Sequence, residues 1–302
     1  MSLTAEVKRA LTDKITDTVF DEPMSRHTSF HIGGPAAALL QPSSTEEIKA
    51  AIDACKRFGI SYFIMGNGTN LLVSDAGYSG VVIKLQKNME TVRIDGCTIE
   101  AGAGVLLSKL ASAALKASLS GFERLGGIPG TLGGAVYMNA GAYGSEIRDV
   151  TVSSSYVDSA GNVGTVVGDA HRFGYRSSVY TDSDKIIVSA VLQLTKGNAD
   201  EIKQMMQEYT KRRCDKQPLQ YPSCGSTFKR PEGHFAGALI EAAGLKGYRI
   251  GGAQVSEKHA GFIINTGGAT AQDVIRLVEH IKAEVFKTSG VTLECEMKTL
   301  GF

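Results

Sequence analysis

Apolar residues recur at helical spacing from the start of the chain. Leu3, Val7, Leu11 and Ile15 fall on one face and predict an N-terminal helix within residues 1–20. A second helix is expected from Ser44 to Phe58, with a capping-box pattern at Ser44 and Glu47 and Gly59 at its far end. SYFIM (61–65) and VVIKL (81–85) read as strands, separated by the Gly-rich stretch GNGTNLLVSDAGYSG. TVRID (91–95) and TIEAG (98–102) predict a hairpin around Gly96, followed by an Ala- and Leu-rich helix at 105–119. Strands are expected at 150–157, 163–167 and 185–194, and a helix at 199–213. The Pro- and Gly-bearing segment QPLQYPSCGSTFKRPEGH marks a boundary. After it come a helix at 235–243, a strand at 260–264, a helix at 271–287 and a last strand, VTLECEMKTL. Thr270 and Asp273 form a capping box for the long helix, and Val274, Leu277, Val278, Ile281 and Val285 form its buried stripe.

This mixture predicts an α+β chain in three parts with no internal repeat. The N-terminal helix occupies 1–20. A first domain covers 21–197, in subdomains of about 21–86 and 87–197, and a second covers 198–302.

Composition narrows the function classes. A net charge of +1 gives no electrostatic footprint for nucleic acid, and the absence of Trp argues against a stacking platform. No apolar run has the length of a membrane span, and the polar start MSLTAEVKRALTDKI is unlike a signal peptide. The five cysteines lack CxxC spacing, and no His has a ligand partner at useful spacing. A cytoplasmic protein with reduced thiols and no metal is expected, with no nucleic-acid or membrane partner.

The outlier is glycine, with 35 residues. In MGNGTNLL, Gly66, Asn67, Gly68, Thr69, Asn70 and Leu71 form either a tight turn or an anion-binding nest. GGIPGTLGGAVYMNAGAYG has a glycine density that turn chemistry alone hardly explains, and bare backbone can lie against a flat ring or a diphosphate. The residues expected to face such a ligand are Gly127, Ile128, Pro129, Gly130, Thr131, Gly133, Gly134, Ala135, Asn139, Gly141 and Ala142. Neither this chain's AGAGVLLSKL nor its MGNGTNLL completes a Rossmann fingerprint, because Leu107 and Leu71 stand where the third Gly belongs.

Polar candidates remain ambiguous one by one. Ser226 in CGSTFKRP lacks a nucleophile elbow and is either a turn serine or a proton donor. Arg176 in FGYRSSVY is either a surface residue or a carboxylate clamp. Glu294 and Glu296 are expected on one face of the last strand.

Taken in order, HTSFHIGGPA, MGNGTNLLVSDAGYSGVVIKL, GGIPGTLGGAVYMNAGAYG, FGYRSSVY, SCGSTFKRP, LKGYRIGGAQVSEKHAGFIIN and LECEMKTLG resemble the UDP-N-acetylenolpyruvoylglucosamine reductase (MurB) family. The spacing between FGYRSSVY and SCGSTF matches the shorter, type II variety. The resemblance implies an FAD-binding module of the PCMH, or vanillyl-alcohol-oxidase, type in two α+β subdomains, followed by an α+β substrate-binding domain. It implies FAD as cofactor, NADPH as hydride donor and UDP-N-acetylglucosamine enolpyruvate as substrate. The enzyme would be a monomer serving peptidoglycan precursor synthesis, and hence cell-wall biogenesis, cell shape and division. Arg176, Ser226 and Glu296 match the family's catalytic positions; Tyr175, Lys229, Arg230 and His259 fall in segments that line its substrate site. In the family reaction flavin N5 gives a hydride to the vinyl carbon, and Ser226 would then protonate the neighbouring carbon. The family's ending LEPEVR is altered here by Cys295 and Lys298. Two alternatives stay open: another FAD oxidoreductase of this module type with a different substrate, and a catalytically silent nucleotide-sugar binding protein.

Overall fold

A computed structural model describes residues 3–302, so residues 1 and 2 of the predicted N-terminal segment lie outside the described residues. Two compact units emerge. Among the described residues, the first comprises 3–20, 37–67 and 80–212; the second comprises 21–36, 68–79 and 213–302. Each is a mixture of helices and sheet, giving the α+β class. The division differs from a contiguous split at 197/198, because segments 21–36 and 68–79 pack with the C-terminal part.

A four-stranded sheet, most of whose residues belong to the first unit, has the order Thr18–Pro23, Pro35–Leu40, Tyr78–Lys84, Tyr62–Met65. Its last two strands run parallel, with Met65 opposite Lys84. Helices Ala5–Thr12 and Thr45–Arg57 bury Val7, Leu11, Ile48 and Ile52 in a core with Ala38, Val81 and Ile83. The N-terminal helix is thus shorter than its apolar spacing suggested. The Ser44 cap forms, since Ser44 Oγ accepts from the Glu47 N–H at 3.2 Å. The reciprocal arm reaches one residue further back, to the Ser43 N–H at 2.7 Å.

A second sheet in this unit has five antiparallel strands in the order Val163–Val167, Thr151–Val157, Ile186–Gln193, Thr98–Gly102, Val92–Asp95. The predicted hairpin turns at Gly96 with φ 58°, a left-handed conformation that glycine adopts without a Cβ penalty. Helices Leu107–Lys116 and Leu132–Tyr137 bury Leu107, Leu110, Leu132 and Val136 in the same core as Ile99, Phe122 and Leu192.

In the second unit, Ser223–Ser226, Phe262–Asn265, Ala253–Val255 and Arg249–Ile250 form an antiparallel sheet in that order. Ala236–Ala242 and Ala271–Ser289 bury Ile240, Val274, Leu277 and Ile281 with Phe228, Val255 and Ile263. The Thr270–Asp273 capping box is complete in both directions, and hydrogen bonds hold the Asp273 carboxyl below the usual carboxylate range. Asp75 also accepts from the N–H groups of Ala271 (2.8 Å) and Gln272 (3.2 Å), tying segment 68–79 to the helix start. Strand Leu71–Val73 pairs in parallel with Lys298–Leu300. No described helix is long and apolar enough to cross a membrane.

Candidate active site

In the first unit the two Gly-rich segments meet. Asn67 Nδ2 donates to the Pro129 carbonyl at 2.8 Å, and Gln86 Nε2 donates to Asn67 Oδ1 at 3.0 Å. A Cβ on Gly66 would lie 2.2 Å from Thr131 Oγ1, so that close approach requires glycine. Thr131 is buried and its Oγ1 accepts from the Gly134 N–H, starting helix Leu132–Tyr137. Gly133 faces Ala103, where a Cβ would come within 2.9 Å of the Ala103 Cβ. These glycines serve close packing of protein on protein.

Gly134 is different. It is exposed, and a Cβ there would meet nothing nearer than Thr131 Oγ1 at 3.5 Å. Gly127 and Pro129 are exposed too, while Leu125, Leu132 and Ala135 turn into the core. The result is a ledge of bare backbone over a rigid interior, which fits a flat ring or a diphosphate. The residues present therefore fit FAD.

Five residues of these segments, expected to face a ligand, are engaged within the protein. Asn139 is wholly buried; its amide donates to the Gly174 carbonyl at 2.9 Å and Glu146 Oε2 at 3.0 Å, and its Oδ1 accepts from the Arg148 N–H at 3.2 Å. Its side chain is thus committed within the protein. Ala135 and Leu71 are buried, so their side chains are core contacts and do not face a ligand. Gly141 packs on Glu146, where a Cβ would lie 2.8 Å from that side chain; Ala142 pairs with Ser145 in a short hairpin.

Arg176 and Tyr175 occupy the centre of a two-residue turn closed between Gly174 and Ser177. The Gly174 N–H donates to Ser177 O at 3.0 Å. Arg176 is left-handed at φ 56°, and its guanidinium lies 5.0 Å from the Tyr175 ring centroid. Below the turn runs a buried chain. The His171 Nδ1 and Gly168 carbonyl are 2.8 Å apart, which requires a proton on Nδ1. Nε2 then accepts from Ser154 Oγ at 2.8 Å, leaving Ser154 Oγ to accept from Tyr180 Oη at 2.6 Å. Burial lowers the His171 pKa, keeping the ring neutral. Sequence reasoning missed this chain, because its three members lie on separate elements.

In the second unit the main chain of Glu296 bonds to Thr227, the neighbour of Ser226. Ser226 ends strand Ser223–Ser226 opposite Phe262, after a register shift at which Gly225 has φ 79°. Ser226 is exposed. The Thr227 carbonyl accepts from the Glu296 N–H at 2.9 Å, and the Lys229 N–H donates to Glu294 O at 2.8 Å. Phe228 bridges Cys295 in the same register. The expected last strand is only Lys298–Leu300, so Glu294 and Glu296 lie before it and not on a strand face. Glu294 is exposed and pairs with Lys229 at 3.0 Å. Thr227 is fully buried, and its hydroxyl accepts from the Ile263 N–H at 3.3 Å; nothing in its sequence context singles it out.

The GTNLL segment reaches this site. Asn70 Nδ2 donates to the Glu296 carbonyl at 3.0 Å, so this side-chain donor serves the protein. The Gly68 carbonyl accepts from the Ser29 N–H at 3.1 Å. Arg230 lies 4.0 Å from the Phe235 ring centroid, on the surface. His259 Nδ1 accepts from the Gly261 N–H at 3.1 Å, and burial lowers its pKa; the neutral ring therefore carries its proton on Nε2. Burial pushes the Cys224 thiol up to about 12, so it is inert at neutral pH.

The segments match known families in the same places. Residues 217–300 match the model described as UDP-N-acetylenolpyruvoylglucosamine reductase, C-terminal domain, and residues 36–167 match an FAD binding domain. The UDP-N-acetylenolpyruvoylglucosamine reductase of Caldanaerobacter subterraneus subsp. tengcongensis is 52% identical over 281 residues, 93% of either chain. The chain belongs to the UDP-N-acetylenolpyruvoylglucosamine reductase family. Its relative in Clostridioides difficile is 48% identical over 285 residues, 94% of each chain. The crystal structure of this family's enzyme (MurB) from Thermus caldophilus superposes with a TM-score of 0.82 at 35% identity, covering 94% of this chain and 98% of that one. As a family member the chain is a flavin-dependent oxidoreductase carrying an FAD-binding domain.

Proposed function

We infer that this chain reduces UDP-N-acetylglucosamine enolpyruvate to UDP-N-acetylmuramate with NADPH, for peptidoglycan precursor synthesis in the cytoplasm. The observation that carries the reading is the Glu296 N–H on the carbonyl of Thr227, the residue next to Ser226, inside the segment that matches the reductase's C-terminal domain. A flavin oxidoreductase with another substrate would have no need of that pair.

FAD, when bound, supplies hydride transfer from nicotinamide to the substrate's vinyl carbon. Gly127, Pro129, Gly130 and Gly134 would hold it at the backbone ledge, whose approach to the first Gly-rich segment is fixed by Gly66 and Asn67. Arg176 would pair the substrate carboxylate and hold the negative charge that builds beside it. Ser226 would then protonate the carbon next to the carboxylate, a step worth about 10²–10⁴ in rate for a positioned donor. Glu296 would orient the substrate or relay the proton to Ser226. Tyr175, Lys229, Arg230 and the His259 Nε2–H would line the nucleotide-sugar site.

The test is anaerobic reduction of the flavin by NADPH, then addition of the enolpyruvyl sugar. Ser226→Ala should reduce normally and reoxidise slowly. Wild-type reoxidation in that variant would remove Ser226 as the proton donor.

A further inference from the structure

Arg176 is an uncommon residue for its backbone. In the turn Gly174–Ser177 it takes φ 56°, where a Cβ crowds the following carbonyl and the left-handed backbone is disfavoured. Such a conformation persists only where its surroundings hold it. One neighbour does so from outside the turn: the Asn139 amide, on the Gly174 carbonyl at 2.9 Å.

Asn139 is itself built in. Its φ is 44°, a region that Asn tolerates better than most residues, and its side chain is fully buried. Glu146 and the Arg148 N–H orient its amide, and Glu146 pairs with Arg148 at 2.8 Å. Asn139 also lies within the Gly-rich segment whose earlier residues form the backbone ledge. One amide therefore connects the cofactor-facing segment to the turn that presents Tyr175 and Arg176.

We propose that Asn139 is a positioning residue for Arg176: its amide locks the Gly174–Ser177 turn and so sets the guanidinium for the substrate carboxylate. This rests on the reading of Arg176 as the carboxylate partner. Asn139→Asp keeps the left-handed backbone and the acceptor facing Arg148. It places an oxygen against the Gly174 carbonyl and Glu146, and the turn loses its lock.

The experiment uses flavin-loaded enzyme in stopped flow, with NADPH for reduction and the enolpyruvyl sugar for reoxidation. Asn139→Asp should keep the visible flavin spectrum and the reduction rate, while reoxidation falls about 10²-fold, the scale of a group displaced by an ångström. With Arg176→Ala already present, adding Asn139→Asp should cost nothing more. A purely structural role would slow both half-reactions alike, or multiply with Arg176→Ala; either result overturns the proposal. An Arg176→Ala defect beside a normal Asn139→Asp also overturns it alone. If Arg176→Ala reoxidises normally, the carboxylate reading fails and the proposal falls with it. Should Asn139→Asp lose flavin, Asn139→Gly and Glu146→Ala, which removes the half-buried partner of the Asn139 amide, must show the same split; normal reoxidation in both overturns the proposal.

Discussion

Asn70 holds the main chain of Glu296: its Nδ2 donates to the Glu296 carbonyl at 3.0 Å, while its own carbonyl accepts from the Lys298 N–H at 3.0 Å. A residue expected to serve a cofactor phosphate thus fastens the candidate catalytic glutamate. Asn70→Ala should cost about 0.5–1.5 kcal/mol of stability, the worth of one hydrogen bond. Reoxidation by the enolpyruvyl sugar should slow more than reduction by NADPH. Denaturant unfolding and the two half-reactions check this, and equal rates in both would remove Asn70 from Glu296's support.

Two glycines in the ledge region should respond in opposite ways. Gly66→Ala forces a Cβ to 2.2 Å from the buried Thr131 Oγ1 and should destabilise the protein by about 1–3 kcal/mol. Gly134→Ala, with its nearest neighbour at 3.5 Å and a helical backbone, should leave the flavin-free protein as stable or up to about 1 kcal/mol more so. The added methyl should nonetheless weaken FAD binding, because it rises from the ledge. Thermal melting of the flavin-free protein and a flavin titration separate the two effects. Unchanged FAD affinity in Gly134→Ala would move the cofactor away from this ledge.

The start of helix Ala271–Ser289 depends on a carboxylate about two hundred residues away in sequence, at Asp75. Asp75→Ala should cost about 0.5–2 kcal/mol, as loss of a capping side chain does. Asp75→Asn, which retains one acceptor oxygen, should cost less. Denaturant melts of the three proteins give the ranking.

Acid should weaken the fold through histidine before it does so through carboxylates. Burial lowers the pKa of both His171 and His259, so each binds its proton less readily folded than unfolded. As pH falls below about 6.5, the unfolded chain takes up protons first. Stability is complete above that value and declines as pH drops through the lowered folded values. Melting temperatures at about pH 7.5 and about pH 5.5 should differ, and His259→Gln should shrink the difference. A pH-independent melt over that range would contradict the burial of both rings.

Elements decided by local chemistry are legible in the sequence. The Thr270–Asp273 box, the hairpin at Gly96 and the helix after Ser44 each follow from neighbouring residues. Long-range bonds defeated the same reasoning. Glu294 and Glu296 were expected in a strand, but that stretch is held by Thr227, Lys229 and Asn70, and only Lys298–Leu300 pairs as a strand. Glycine density does not separate Gly133, which needs room for Ala103, from Gly134, which faces open space. Asn139 was drawn into the ligand set by its neighbours in sequence, whereas its amide turns inward.

The parallel pairing of Leu71–Val73 with Lys298–Leu300 bears on the order in which the chain can fold during synthesis. The first strand leaves the ribosome early and must wait for almost the whole chain before its partner exists. Residues 21–36 and 68–79 share that wait, since the core they join includes Val274, Leu277 and Met297. Domains generally fold as units as they emerge, and unpaired strand edges are prone to aggregate meanwhile. On a nascent chain arrested before residue 298, the buried strand Leu71–Val73 would be the segment most in need of a chaperone.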